Sequence, residues 1–141
     1  MSEVAELSAT ELATRLLPLL KEYAEKIGGL ADRLLTVSQT LGYGPNRDRV
    51  VMEAARLLCL HDALDKPVRG VAQEASGLIE HAALEFNLRA ELKLRLDEIE
   101  EHIRFAKVFA AGVIGLLKEF KLLDMTRKLI EDKAGRYKAP F

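Results

Sequence analysis

ATELATRLLPLLKEYAEKIGGLADRLLTVSQTL, residues 9 to 41, holds the pattern that decides the fold. Ala9, Ala13, Leu16, Leu20, Tyr23, Ile27, Leu30, Leu34, Val37 and Leu41 recur at spacings of 4,3,4,3,4,3,4,3,4. An α-helix turns once in 3.6 residues, so this alternation lines one face with apolar side chains. It predicts a long helix laid against other helices. Ser8-Ala9-Thr10-Glu11 fits a capping box and predicts a start at Ala9. Glu11/Arg15, Lys21/Glu25 and Glu22/Lys26 place opposite charges one turn apart on the outer face. Pro18 removes a backbone donor and predicts a kink or a split. Gly28-Gly29 costs about 2 kcal/mol relative to two alanines, which predicts a bend or a close approach by another backbone. Gly42-Tyr43-Gly44-Pro45 ends the helix.

The pattern recurs along the chain. Asn46 suits the N-cap of a second helix over residues 47–64, with Val50, Ala54, Leu57, His61 and Leu64 as its seam. Pro67 suits the first position of a third, carrying Val68, Ala72, Ala75, Ile79, Ala82 and Phe86. Leu92, Leu96, Ile99, Ile103, Ala106, Ala110, Val113, Leu117 and Phe120 form a second long seam at 4,3,4,3,4,3,4,3. The phase slips between Phe86 and Leu92, and a turn at Asn87 is favoured over one rod running through 67–86 and 88–123. Asp124 suits the cap of a short last helix over residues 125–133. The expected fold is an all-α antiparallel bundle of four to five helices, with the two long heptad-patterned helices as its spine. Residues 1–8 read as an N-terminal tail, 9–133 as one domain and 134–141 as a basic C-terminal tail. Two long seams beside two short ones leave two solutions. The middle pair is one element kinked at Pro67, or the long helices project and need a second chain to cover them.

Composition narrows the function classes. The chain has 141 residues, 49% of them hydrophobic and 30% charged, which is a folded profile and one domain. The net charge of -1 offers no global field for nucleic acid or membrane. From Arg104 onward, nine Lys/Arg stand against four Asp/Glu, so the end of the chain is locally basic. Cys59, the only cysteine, lies in an apolar run and reads as a buried inert thiol, in keeping with a reducing compartment. Met1-Ser2-Glu3 is not the start of a signal peptide, and no apolar run approaches the roughly 20 residues of a membrane span. The expected location is cytoplasmic.

Chemistry-bearing groups are few. His61/Asp65, His81/Glu85 and Glu98/His102 stand at i,i+4, but the inward Glu-x-x-His sets of di-iron bundles are absent. No metal site and no cofactor are expected. His61-Asp62-Ala63-Leu64-Asp65-Lys66-Pro67 resembles the phospho-accepting box of histidine kinase dimerisation domains, with the proline one residue later. That resemblance implies a phosphoryl-accepting His61. Arg56-Leu57-Leu58-Cys59-Leu60-His61 is similar to the Arg-x4-His element of HEPN-type helical ribonucleases, with Leu57 where that family carries a polar residue. It implies Arg56 on phosphate and His61 on the ribose hydroxyl.

Most of the sequence information goes into seams. The leading expectation is therefore a non-catalytic helical interaction or assembly module: an adaptor, scaffold or chaperone-like protein that binds another protein or itself. Its expected interface residues are Leu16, Leu20, Tyr23, Ile27, Leu30, Leu34, Phe105, Phe109, Val113, Leu117 and Phe120. Residues 105–117 are apolar on nearly every face apart from Lys107, and Ala111, Gly112 and Gly115 permit close approach. The second expectation is a nucleic-acid-associated accessory protein using Lys128, Lys133, Arg136 and Lys138. The third is a small enzyme, ribonuclease-like or phosphotransfer, centred on His61 with Arg56.

Overall fold

A computed structural model describes the backbone of residues 2–41 and 47–134, and the side chains of residues 9–41 and 47–131. Four helices account for it: α1 (Ser2–Thr40), α2 (Arg47–His81), α3 (Phe86–Glu119) and α4 (Leu123–Ala134). Among the described residues there is no strand. The helices pack on one another, α1 most extensively on α3, with α2 against both and α4 on α2. Ala24 approaches His102, and further along Leu35 shares a groove with Phe109, so α1 and α3 run in the same direction.

The seam residues make the core. On α1, Ala13, Leu16, Leu20, Ile27, Leu30, Leu34, Val37 and Leu41 are buried, with Ala24 and Ala31 widening the stripe. On α3, Leu92, Leu96, Ile99, Ala106, Ala110, Val113 and Leu117 are buried opposite them. Each fully buried leucine stabilises the fold by about 1.5–3 kcal/mol, enough to offset local propensity losses.

Those losses explain the differences from expectation. Helix α1 begins at Ser2, ahead of Ala9, so Ser8 and Glu11 lie inside it rather than at its start. It runs unbroken through Pro18 and through Gly28-Gly29. Pro18 and Thr14, whose carbonyl Pro18 cannot serve, are both exposed, so water can satisfy that carbonyl. Pro67 likewise does not begin a helix: α2 continues through it, and Pro67 and Ala63 are both exposed. The middle pair is thus one element, and three long helices of 39, 35 and 34 residues stand side by side. Their lengths are close, so the mismatch of two long helices beside two short ones is gone.

The break before α3 falls at residues 82–85, ahead of Asn87, which lies in the first turn of α3. Glu85 is its N-cap, its carboxylate accepting from the Leu88 N–H at 3.1 Å. Phe86, expected on a buried seam, is 81% exposed because it stands in this first turn. At the other end Lys121 adopts φ 58°, and the Leu122 N–H reaches back to the Leu117 carbonyl at 2.7 Å. That left-handed closure usually carries glycine. It turns the chain into α4, which starts at Leu123 with Asp124 in its first turn. Ile130 and the fully buried Thr126 face inward, and Thr126 Oγ1 donates to the Leu122 carbonyl at 2.7 Å. The expected stop at Gly42-Tyr43-Gly44-Pro45 and the Asn46 cap lie outside the described residues.

No helix among the described residues is long and apolar enough to cross a membrane.

Candidate functional site

Three grooves and one open helix face hold Arg56, His61, His102, Phe105 and Phe109. The first groove lies between α2 and α4 and encloses about 660 Å³. Arg49, Met52, Arg56 and Cys59 wall it on one side, Leu129 and Ile130 on the other. Arg56 is held by Glu53 at 2.6 Å, one turn back on α2. Cys59 is half-buried rather than buried, and burial, helped by Asp62, raises its thiol above the ordinary 9.0. A thiol pushed that way carries little thiolate, so its expected inertness has a physical cause other than complete burial.

His61 looks elsewhere. It lines a second groove, of about 280 Å³, between α2 and α3, with Asp62, Asp65, Arg69 and Lys107. Arg69 donates to Asp65 at 2.9 Å. Burial lowers the His61 pKa from its ordinary 6.5, opposed by Asp65 and Asp62 and assisted by Arg69. The imidazole also touches the small space lined by Ile27, Val68, Ile103 and Ala106, the apolar centre of the three long helices. Arg56 and His61 therefore open into different grooves, and the fold does not bring them together within one chain. Nor does it set a freely exposed imidazole beside a carboxylate, the arrangement a phospho-accepting box implies.

The other histidine pairings dissolve for local reasons. Helix α2 ends at His81, which lies 3.6 Å from Glu80, while Glu85 caps α3. Glu98 pairs with Arg95 at 3.2 Å. His102 crosses to α1, its Nδ1 lying 2.8 Å from the Ala24 carbonyl oxygen. A carbonyl only accepts, so Nδ1 is the protonated nitrogen. Gly28 makes room for this contact: a Cβ there would stand 2.9 Å from the imidazole Cε1. The close approach expected at Gly28-Gly29 is thus by a side chain, and only at Gly28, since Gly29 has nothing within 4 Å. Among the described residues no group of three His, Cys, Asp or Glu side chains is placed to hold a metal ion.

The third groove, of about 560 Å³, lies between α1 and α3. Glu25, Asp32, Glu98 and Glu101 rim it, and Leu35, Phe105 and Phe109 form its apolar end. Phe105 and Phe109 stack with ring centroids 6.1 Å apart and planes 11° from parallel. From there an uncovered apolar strip continues along the outward face of α3. Phe105 is 47% exposed and Val108 63%, while Ala111, Gly112 and Gly115 are exposed and Leu116 half-buried beside them. Glu101 and Glu119 close the strip at its two ends.

The expected interface residues divide accordingly. Leu16, Leu20, Ile27, Leu30, Leu34, Val113 and Leu117 lie in the chain's own core, with Tyr23 half-buried against it. Phe105 and Phe120 are exposed and Phe109 partly so. Val108 is absent from the expected interface, although Glu101, Phe105, Val108, Gly112, Gly115 and Glu119 recur at 4,3,4,3,4 in the sequence. Two apolar periodicities overlap on residues 105–117, and only the packing shows which of them the chain itself covers. Of the basic residues, Lys128 is exposed on α4. Lys133 is the penultimate residue of α4, and its side chain, like Arg136 and Lys138 altogether, lies outside the described residues.

No protein-family model, curated protein or solved structure matches this chain.

Proposed function

We propose that the chain is a non-catalytic helical assembly module whose working surface is the outward face of α3. One observation carries this reading. Phe105 and Val108 stand exposed with Ala111, Gly112 and Gly115 in a strip whose one charge between Glu101 and Glu119 is Arg104 at its edge, on a helix whose opposite face already fills the core. A helix with one covered face should be polar on the other. A contiguous exposed apolar patch marks a surface that another molecule covers. The groove acids beside Phe105 and the lysines beyond Gly115 supply a polar rim around an apolar centre, the anatomy of a protein interface.

The polar groups elsewhere fit this reading. His61 is held half-buried at the helix junction, and Arg56 is tied to Glu53. Sedimentation equilibrium across a dilution series tests the proposal. The expected result is a mass that rises above the 15.7 kDa of the single chain as concentration increases. A mass that stays at one chain at every concentration overturns self-assembly.

A further inference from the structure

We infer that the occupant of the α3 face is a second copy of this chain, docked with its α3 antiparallel about a two-fold axis beside Ala110. The inference rests on the assembly reading above and specifies its partner and register. A two-fold interface must be complementary to itself, so each residue has to suit the residue equally far on the other side of the axis. The strip meets that condition. Phe105 and Gly115 are equidistant from Ala110, as are Val108 and Gly112. Each bulky side chain of one copy therefore meets a glycine of the other, a ridge entering a groove.

The glycines support the same geometry. Gly112 and Gly115 lie in helical backbone, where glycine is less favourable than alanine. In the single chain a Cβ at either would meet nothing within 4 Å. Gly29, Gly70 and Gly77 are equally open, but their outward neighbours are polar or charged, whereas Gly112 and Gly115 continue an exposed apolar strip.

Charge sets the direction. The strip begins at the acidic run Asp97-Glu98-Glu100-Glu101 and ends beside Lys118 and Lys121. A parallel pairing would stack acid on acid. The antiparallel pairing brings Glu100 opposite Lys118, nearly equidistant from the axis and on the same flank of the helix, with Lys121 in the turn just beyond. Glu101 and Glu119 come opposite each other at the ends of the strip, with the exposed Arg104 one turn inward of Glu101 to offset the like charges.

Sedimentation equilibrium of the full chain is expected to give a dimer of twice 15.7 kDa. Val108→Lys should weaken association roughly thirtyfold or more while helix content stays unchanged, because Val108 is largely exposed in the single chain. Glu100→Lys and Lys118→Glu should each weaken association, and the double variant should recover most of the loss, since both residues come from both copies. A dimer unaffected by Val108→Lys, or a double variant Glu100→Lys with Lys118→Glu that associates no better than either single variant, overturns this register and leaves the assembly reading standing. A chain that is monomeric at every concentration overturns both.

Discussion

Turned outward, α1 shows Glu11, Arg15, Lys21, Glu22, Glu25 and Lys26, whereas the second half of α3 shows Phe105, Val108, Ala111, Gly112 and Gly115 together, with Arg104, Lys107, Lys118 and Glu119 around them. Turned inward, the two helices are alike: leucine, isoleucine, valine and alanine at alternating spacings of three and four, buried against each other. The inward demand is therefore the same, and the outward difference has no origin in the core. Helix α1 does expose Leu12 and Leu19, but these stand among charged neighbours, as isolated surface leucines commonly do, and its exposed Leu35 joins Phe105 and Phe109 at the apolar end of the α1–α3 groove. On α3 the exposed apolar residues are contiguous. A face that solvent alone had to meet would resemble that of α1.

The sharpest separation of the two kinds of face is energetic. Leu34→Ala, at a fully buried inward position, should destabilise the fold by about 2–5 kcal/mol in urea unfolding. Val108→Lys, outward on α3, should change the stability of the single chain by no more than about 0.5 kcal/mol. If Val108→Lys costs as much as Leu34→Ala in a dilute sample, the outward strip is part of the core and the contrast between the helices disappears.

A second test adds a Cβ at the two glycines of α1 and removes one just beyond the end of α3. Gly29→Ala should stabilise α1 by about 0.8–1 kcal/mol, since nothing opposes the added methyl. Gly28→Ala should fall short of that gain by about 1 kcal/mol, because it displaces His102 from the Ala24 carbonyl. Adding His102→Ala should make the two alanines equivalent, as measured by thermal unfolding. Lys121→Gly should stabilise the end of α3 by about 1 kcal/mol by relieving a left-handed conformation that a side chain disfavours.

A smaller effect comes from protonating the one ionisable side chain on the α2 seam. Because burial lowers the His61 pKa, the unfolded chain binds a proton first as pH falls through 6.5. The His61-dependent stability is complete above that value and declines below it toward the folded-state pKa. Urea midpoints should therefore drop between about pH 7 and pH 5, and His61→Gln should reduce that drop. A larger drop in the variant would mean that the folded state favours the charged imidazole.

Much of this architecture is legible in the residues themselves. The inward face of α1 follows Ala13 to Leu41 almost residue by residue, and that of α3 follows Leu92 to Leu117. Pro67 misleads, because a proline reads as a boundary wherever its cost is reckoned locally. Yet Leu57, His61, Leu64, Val68, Val71, Ala75, Leu78 and Ala82 pass through it at 4,3,4,3,4,3,4, and Val71 and Leu78 pack against the core. Long-range burial outweighs one missing hydrogen bond on a hydrated face. The pairing of His102 with Gly28 was hidden for a different reason: nothing in the spacing of one helix records which residue of another will lie across it.

The outward strip of α3 shows the same division. Periodicity alone determined that the chain is helical, which side chains could line a core and how long each seam runs, because those properties follow from 3.6 residues per turn. It could not decide which of two overlapping apolar faces on residues 105–117 would be covered. Only the packing of α1 and α2 against α3 decided that, since a face becomes inner or outer by where its neighbours lie. That choice placed Val113 and Leu117 in the core and left Phe105 and Val108 in contact with solvent.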